Sequence, residues 1–204
     1  MTRGLLVTLD GPGGAGKTTL ARRAAALLDR AGVPADLTTQ PSPGPIGALA
    51  RAGTHQFHGH ALACLVAADR YHHLDTHIRP ALAAGTTVIC DRYIASSLVF
   101  QALDGVDQQF VTQLNRHADS PDLAVFLTCG QAELLRRLSV RGSHGRFEDD
   151  PGNSAKEIVR YRAVSAAFAS QGISVLELDS TTSDIDSLAS RIVTAVRALP
   201  SAPT

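Results

Sequence analysis

Leu5-Leu6-Val7-Thr8-Leu9 runs through Asp10 into Gly11-Pro12-Gly13-Gly14-Ala15-Gly16-Lys17-Thr18, and this junction decides the fold. A short, continuously apolar run reads as a strand buried on both faces, and residues 18–29 carry helical spacing. Between them stands the pattern GxxxxGK[ST], whose glycines let successive backbone N–H groups turn inward around phosphate oxygens. The helix start adds its positive end, Lys17 reaches the outer phosphates of a nucleotide, and the Thr18 hydroxyl suits Mg²⁺. Gly11, Gly13, Gly14, Ala15, Gly16, Lys17, Thr18 and Thr19 are therefore the candidate phosphate contacts.

Working outward, Val/Ile/Leu-rich runs at 35–39, 86–90, 123–128 and 173–178 repeat the strand signal of 5–9. Helical spacing fills 18–29, 59–84 with a bend before Pro80, 96–103, 107–117, 131–140, 154–170 and 185–198. Strands alternating with helices of crossover length predict an α/β domain with one five-stranded parallel sheet, helices on both faces. The expectation is a single domain over 1–198, followed by a frayed tail at 199–204. Three stretches break the alternation and are expected as loops with functional work: 11–19, 40–47 and 141–152.

The chain has 204 residues, 19 Lys plus Arg against 19 Asp plus Glu, and a formal net charge of zero, so no overall basic field holds a polyanion or a membrane surface. With 44% hydrophobic and 19% charged residues it is a folding chain. The apolar stretch 61–68 is cut off by Asp69 and Arg70, far short of a membrane span, and the first strand is too short to be a leader. Cys64, Cys90 and Cys129 are far apart and show no CxxC spacing, so neither a disulfide framework nor a zinc ribbon is supported and a reducing cytoplasm is the expected location.

A phosphate loop leaves the reaction open. The strand at 86–90 is followed by Asp91, which either serves a metal site beside the loop or caps the next helix. A GTPase would carry Asn-Lys-x-Asp, and the nearest match, Asn115-Arg116-His117-Ala118, lacks its Lys and its Asp. His73 and His77, within the His-rich 55–77, share a helix face at metal-ligand spacing, but no Cys supports that reading and a polar face is the simpler one.

Several further segments, in one order, choose among P-loop proteins. Ala68-Asp69-Arg70, then Ile78-Arg79-Pro80-Ala81-Leu82-Ala83-Ala84-Gly85, then Asp91-Arg92-Tyr93-Ile94-Ala95-Ser96-Ser97-Leu98-Val99-Phe100-Gln101 closely resemble the thymidylate kinase family. Pro121-Asp122-Leu123, and Arg141-Gly142 with Arg146-Phe147-Glu148, continue the resemblance, which covers about residues 4–195. It implies a nucleoside monophosphate kinase fold, ATP as donor with Mg²⁺ held through Thr18 and Asp91, dTMP as acceptor, and a homodimer. It also implies that Arg70 and Arg92 grip the acceptor phosphate, while Ser97, Phe100, Gln101 and Val66 line the acceptor pocket. The loop 141–152 resembles the lid that closes over ATP, with Arg146, then Arg141, as the cation delivered to the transferring phosphoryl group beside Lys17. Planar, permanently charged forks suit all these arginine roles.

The departures lie on the acceptor side. The family's phosphate-loop carboxylate is Gly13 here, its Thr-Arg-Glu-Pro reads Thr38-Thr39-Gln40-Pro41, and its base-stacking aromatic is Val66. Phe57, Tyr71 and Tyr93 are candidates to restore a stacking surface. The eight carboxylates from Glu148 to Asp186 read as solvated, and Tyr161 between Arg160 and Arg162 as a helix-surface residue. Beside dTMP phosphorylation, a same-fold kinase for another nucleotide and an acceptor-independent ATPase or regulator stand as alternatives.

Overall fold

The computed structural model describes residues 3–142 and 146–200. Five parallel strands form one sheet in the order β2-β3-β1-β4-β5. They are β1 (Leu6–Asp10), β2 (Ala35–Thr39), β3 (Thr87–Asp91), β4 (Leu123–Thr128) and β5 (Val175–Asp179). The three central strands are apolar because helices cover both their faces, and β1 and β3 are buried at every residue. β2 and β5 are edge strands, less buried than the central three, and carry polar residues such as Asp36 and Glu177 at exposed or half-exposed positions.

The helices are α1 (Lys17–Arg30), α2 (Pro45–Ala52), α3 (Gly59–His73), α4 (Arg79–Ala83), α5 (Ile94–Leu103), α6 (Gln108–Leu114), α7 (Gln131–Arg141), α8 (Arg146–Asp149), α9 (Pro151–Ser170) and α10 (Ile185–Ala198). On one face of the sheet α1 and α10 pack together over Leu9, Val125 and Leu127, with Ala21, Ala24 and Ala25 allowing close approach. On the other face Leu6, Val88 and Tyr93 meet Leu74 and Ile78, and Phe126 meets Val99 and Phe168. Each fully buried Leu, Ile or Phe contributes about 1.5–3 kcal/mol, so the apolar strands carry most of the stabilisation.

Chain direction changes sides at β1, which lies between β3 and β4. The carboxyl ends of β1 and β3 are therefore adjacent, with Leu9 opposite Asp91. That is where an open parallel sheet opens a crevice for a ligand.

Four expectations are corrected. The stretch 40–47 is not all loop, because α2 begins at Pro45, where a missing N–H costs nothing. Gly47, which reads as a loop glycine, is there for contact: a Cβ on it would lie 2.1 Å from Ser42 O. The run 59–84 is two helices joined by a π-helical turn, Leu74–Ile78, which places Pro80 in the first turn of α4. The helix expected over 107–117 stops at Leu114, since the Asn115 side chain turns inward. The lid stretch 141–152 is largely helical, with α7 reaching Arg141, α8 inside it and α9 starting at Pro151; its residues 143–145, like 201–204 of the tail, lie outside the described residues.

Candidate active site

The phosphate loop turns on left-handed glycines, φ +81° at Gly14 and +92° at Gly16, which a side chain would strain. Lys17 folds back into the loop, its Nζ donating to Gly11 O and Pro12 O at 2.8 Å each. Burial, and then the Arg92 charge, hold the Lys17 ammonium below its ordinary pKa, against Asp91, Glu157 and Asp10. From the first turn of α1, Thr18 Oγ1 donates to Asp91 Oδ2 at 2.5 Å. The other Asp91 oxygen is buried without a hydrogen-bond partner among the described residues. A hydroxyl beside an unsatisfied carboxylate oxygen, at the mouth of a phosphate loop, is a fitting donor set for a hard cation such as Mg²⁺, which takes few protein ligands.

Asp91 does not cap the next helix; Asp10 does. Its Oδ1 accepts from Tyr93 N at 3.1 Å, Ser96 N at 2.9 Å and Ser96 Oγ at 2.6 Å, so the end of β1 anchors the start of α5. Burial pushes the Asp10 pKa up, against these hydrogen bonds and the charges of Arg92 and Lys17. Between strand and helix, Arg92 takes φ +71°, a left-handed conformation costing about 1–3 kcal/mol for a side-chain-bearing residue. The surroundings hold it there: Arg92 N donates to Leu9 O at 2.9 Å, and its guanidinium lies 4.9 Å over the Phe100 ring and 3.3 Å from Tyr161 Oη.

Arg70 is 1% exposed and lies over the Tyr93 ring. Its Nε donates to Gln40 Oε1 and its Nη2 to Ser97 Oγ, both at 2.8 Å, and its Nη1 to Asn115 Oδ1. All three acceptors are neutral, and two of the five guanidinium N–H groups are left over. Arg70, Ser97, Val66, Phe100 and Gln101 all line the cleft, and Gln101 Oε1 is buried without a partner among the described residues. Of the candidate stacking rings, Tyr93 lines the cleft; Tyr71 Oη instead donates to Leu114 O, and Phe57 packs on Gly53. A further ring comes from the lid, where Phe147 meets Phe100 at 5.0 Å.

The two lid arginines part company. Arg141 lines the cleft and donates to Glu148 Oε2 at 2.5 Å. Arg146 faces elsewhere, 2.7 Å from Asp104 Oδ2 and stacked on Phe147. Asp104 also accepts from Gly59 N at 2.5 Å, so one carboxylate ties α5, the start of α3 and the lid together. Burial raises the Asp104 pKa, but the Arg146 hydrogen bond and charge and the Gly59 N–H outweigh it and the net displacement is downward.

Two surface readings are overturned. Glu157 is 2% exposed and its Oε2 accepts from Gly13 N at 2.9 Å, and Tyr161 is 3% exposed and 2.9 Å from Ser96 Oγ. A signal for both was present: 154, 157, 161, 164 and 168 form one helical stripe that includes Val164 and Phe168. Arg22, Arg51 and Arg137 also line the cleft unforeseen; Arg22 lies one turn after Thr18, and Arg137 one turn before Arg141. The His73 and His77 rings stack, but His77 pairs with Asp36 at 2.9 Å and no metal-binding cluster of His, Cys, Asp and Glu occurs among the described residues.

The result is one cleft of about 730 Å³ in which, among the described residues, seven of the nineteen Lys and Arg face two carboxylates. A chain with no net charge thus builds a concentrated anion site. Gly14, Gly16, Lys17, Thr18 and Thr19 line it, whereas Gly11, Gly13 and Ala15 do not. No described helix is long and apolar enough to cross a membrane.

The family model described as Thymidylate kinase matches residues 9–192. A thymidylate kinase of Xanthomonas euvesicatoria pv. vesicatoria is 36% identical over 187 residues, 91% of this chain and 80% of that protein. A probable thymidylate kinase of Pyrococcus horikoshii is 38% identical over 154 residues, 72% of this chain and 75% of that protein.

Proposed function

This chain belongs to the thymidylate kinase family, and from that premise we propose that it transfers the γ-phosphoryl group of ATP to dTMP, giving ADP and dTDP. The observation that carries the reading is the adjacency of two half-sites: the phosphate loop after β1, and the Arg92 to Gln101 segment after β3, open into the same cleft.

In this reading the backbone N–H groups of the loop cradle the donor phosphates, and Lys17 leaves its two loop carbonyls to reach the β- and γ-phosphates. Thr18 and Asp91 would hold Mg²⁺, which when bound neutralises charge on the transferred group. Arg92, next to Lys17, aims an acceptor phosphate oxygen in line. Arg70 is the second acceptor arginine and offers its two remaining N–H groups. Ser97, Phe100, Gln101 and Val66 line the acceptor pocket, with Phe100 and Phe147 providing ring surface where Val66 replaces the family's aromatic. Arg141, on the cleft wall, is the lid cation for charge spread over the transferring oxygens, and the lid keeps water from the donor. No general base is required, because a phosphate monoester is already anionic near neutral pH. The proposal includes a homodimer, checked by sedimentation, and a reducing cytoplasm, consistent with free thiols at Cys64, Cys90 and Cys129.

The test is ADP formation with Mg-ATP across a panel of nucleoside monophosphates, with Arg92→Ala as control. Saturable turnover with dTMP, lost by a factor of about 10² or more in the control, is expected. Turnover only with another acceptor would support the second reading, which Val66 and the carboxylate missing at Gly13 favour. ADP release independent of any acceptor would overturn the kinase reading.

A further inference from the structure

The buried hydrogen bonds behind Arg70 form a chain whose direction can be read from one end. A guanidinium only donates. Arg70 Nε meets the Gln40 side chain at 2.8 Å, so the amide atom there is the oxygen. The amide nitrogen then faces the other way and lies 3.3 Å from Nδ1 of His73. An NH₂ group donates, so Nδ1 accepts and carries no proton. The imidazole proton therefore sits on Nε2, which donates to Thr38 Oγ1 at 2.9 Å. Thr38 belongs to β2, Gln40 follows it, and Arg70 and His73 lie one turn apart on α3. Arg70, Gln40, His73 and Thr38 are 1%, 3%, 5% and 9% exposed; the first two also line the cleft, whereas His73 and Thr38 lie behind it, so the contact of the amide with His73 is the shielded one.

We propose that His73 is a positioning residue for acceptor binding: its unprotonated Nδ1 fixes the Gln40 amide, and the amide holds Arg70 with two N–H groups left for the acceptor. The proposal rests on the reading of Arg70 as an acceptor contact. A proton on Nδ1 sets two donors against each other. Gln40 must then either turn its NH₂ toward Arg70, again donor against donor, or let go of His73; in both cases Arg70 loses a fixed anchor. The other charged or titratable groups around His73 are Asp69, His72 and His77 on its own helical run and Asp36 on β2. Burial, and then His77, keep the His73 pKa below the ordinary histidine value, against Asp69 and Asp36. The chain is therefore intact at neutral pH and broken only on the acid side.

The test measures kcat and the separate KM values for dTMP and ATP across about pH 4.5–8.5, a window that reaches well below the ordinary histidine value because His73 is held beneath it, in the full chain and in His73→Phe, His73→Gln and Gln40→Glu. His73→Phe should raise the dTMP KM about three- to tenfold at the alkaline end, the weight of one buried hydrogen bond, with kcat and the ATP KM unchanged. The ratio of its dTMP KM to that of the unaltered chain should fall toward one as the pH drops, because the unaltered chain then loses the same lock. The second ionisation of dTMP cancels in this ratio. Gln40→Glu, whose carboxylate accepts from Arg70 whatever the state of His73, should show no extra rise at acid pH. His73→Gln can accept from Gln40 and donate to Thr38, so it should keep a near-normal KM without the acid dependence, and it carries the test where His73→Phe does not fold. A pH-independent ratio, an acid dependence retained in His73→Gln, or a loss shared by kcat and the ATP KM would overturn the proposal. Absence of dTMP turnover at any pH in the unaltered chain would instead overturn the dTMP reading, and this one with it.

Discussion

Replacing the two lid arginines one at a time separates the chemistry from the closure of the lid. Arg146 donates to Asp104 at 2.7 Å, with side chains 20% and 8% exposed. A charge-assisted hydrogen bond in such a place contributes about 1.5–3 kcal/mol, or about 10- to 150-fold in the ratio of docked to undocked lid. Arg146→Ala and Asp104→Asn should each lower kcat/KM within that range. Both donors meet Asp104 Oδ2, so Asn keeps a neutral acceptor for Gly59 N–H and removes the charge that strengthens the tie to Arg146. The double variant should be no worse than the poorer single, because both remove the same interaction. Arg141→Ala should instead lower kcat by about 10²–10³ and show little coupling to Asp104. Steady-state kinetics of six proteins (the unaltered chain, the three single variants, and Asp104→Asn combined with each arginine variant), with urea denaturation to separate stability from activity, read both effects. Additive losses from Arg146→Ala and Asp104→Asn, or a thousandfold kcat loss in Arg146→Ala alone, would refute the division of labour and return the cationic role to Arg146.

Two further outcomes follow from buried groups in the phosphate loop. Glu157→Ala strands the Gly13 N–H in a dry site and should cost about 1–3 kcal/mol in urea denaturation, while Glu157→Gln, which keeps an acceptor for it, should cost under half as much. Burial and the Arg92 charge hold Lys17 below the ordinary lysine pKa, and the approach of donor phosphates must raise it. ATP binding at about pH 8.5, below the free-lysine value, should therefore take up protons, seen calorimetrically as a dependence of the binding heat on buffer ionisation enthalpy. The same heat in every buffer would show that Lys17 is already fully charged.

The parts of this protein legible in the sequence are those whose information is local or periodic. The phosphate loop is written in consecutive residues, and a parallel strand covered on both faces is continuously apolar. The three central strands accordingly fall within about one residue of their expected bounds, and the edge strands β2 and β5, with their polar Asp36 and Glu177, within about two. The phosphate loop and Asp91 are legible in the same way, the acceptor-side segment from Arg92 to Gln101 through its family resemblance, and all of them open into one cleft. Misread punctuation accounts for α2: Pro45 and Gly47 look like loop residues, but one starts a helix and the other fits against Ser42.

Tertiary structure alone decided which polar groups meet. Gly13 and Glu157 are 144 positions apart, Asp10 and Ser96 are 86 apart, and Arg70 finds Asn115 across 45. A carboxylate or tyrosine on a helix carries no local mark saying whether water or a buried partner satisfies it, and burial reverses which is favourable. The sequence by itself therefore determined a P-loop α/β domain with a phosphate site at the end of its first strand. The packing of α9 against α5, and of the lid against Asp104, turned Glu157 and Tyr161 inward, gave Arg141 the cleft and Arg146 the latch, and set the direction of the hydrogen bonds behind Arg70. The physical reason is that backbone conformation is dictated by near neighbours, whereas desolvation and hydrogen-bond direction depend on whatever the rest of the chain brings alongside.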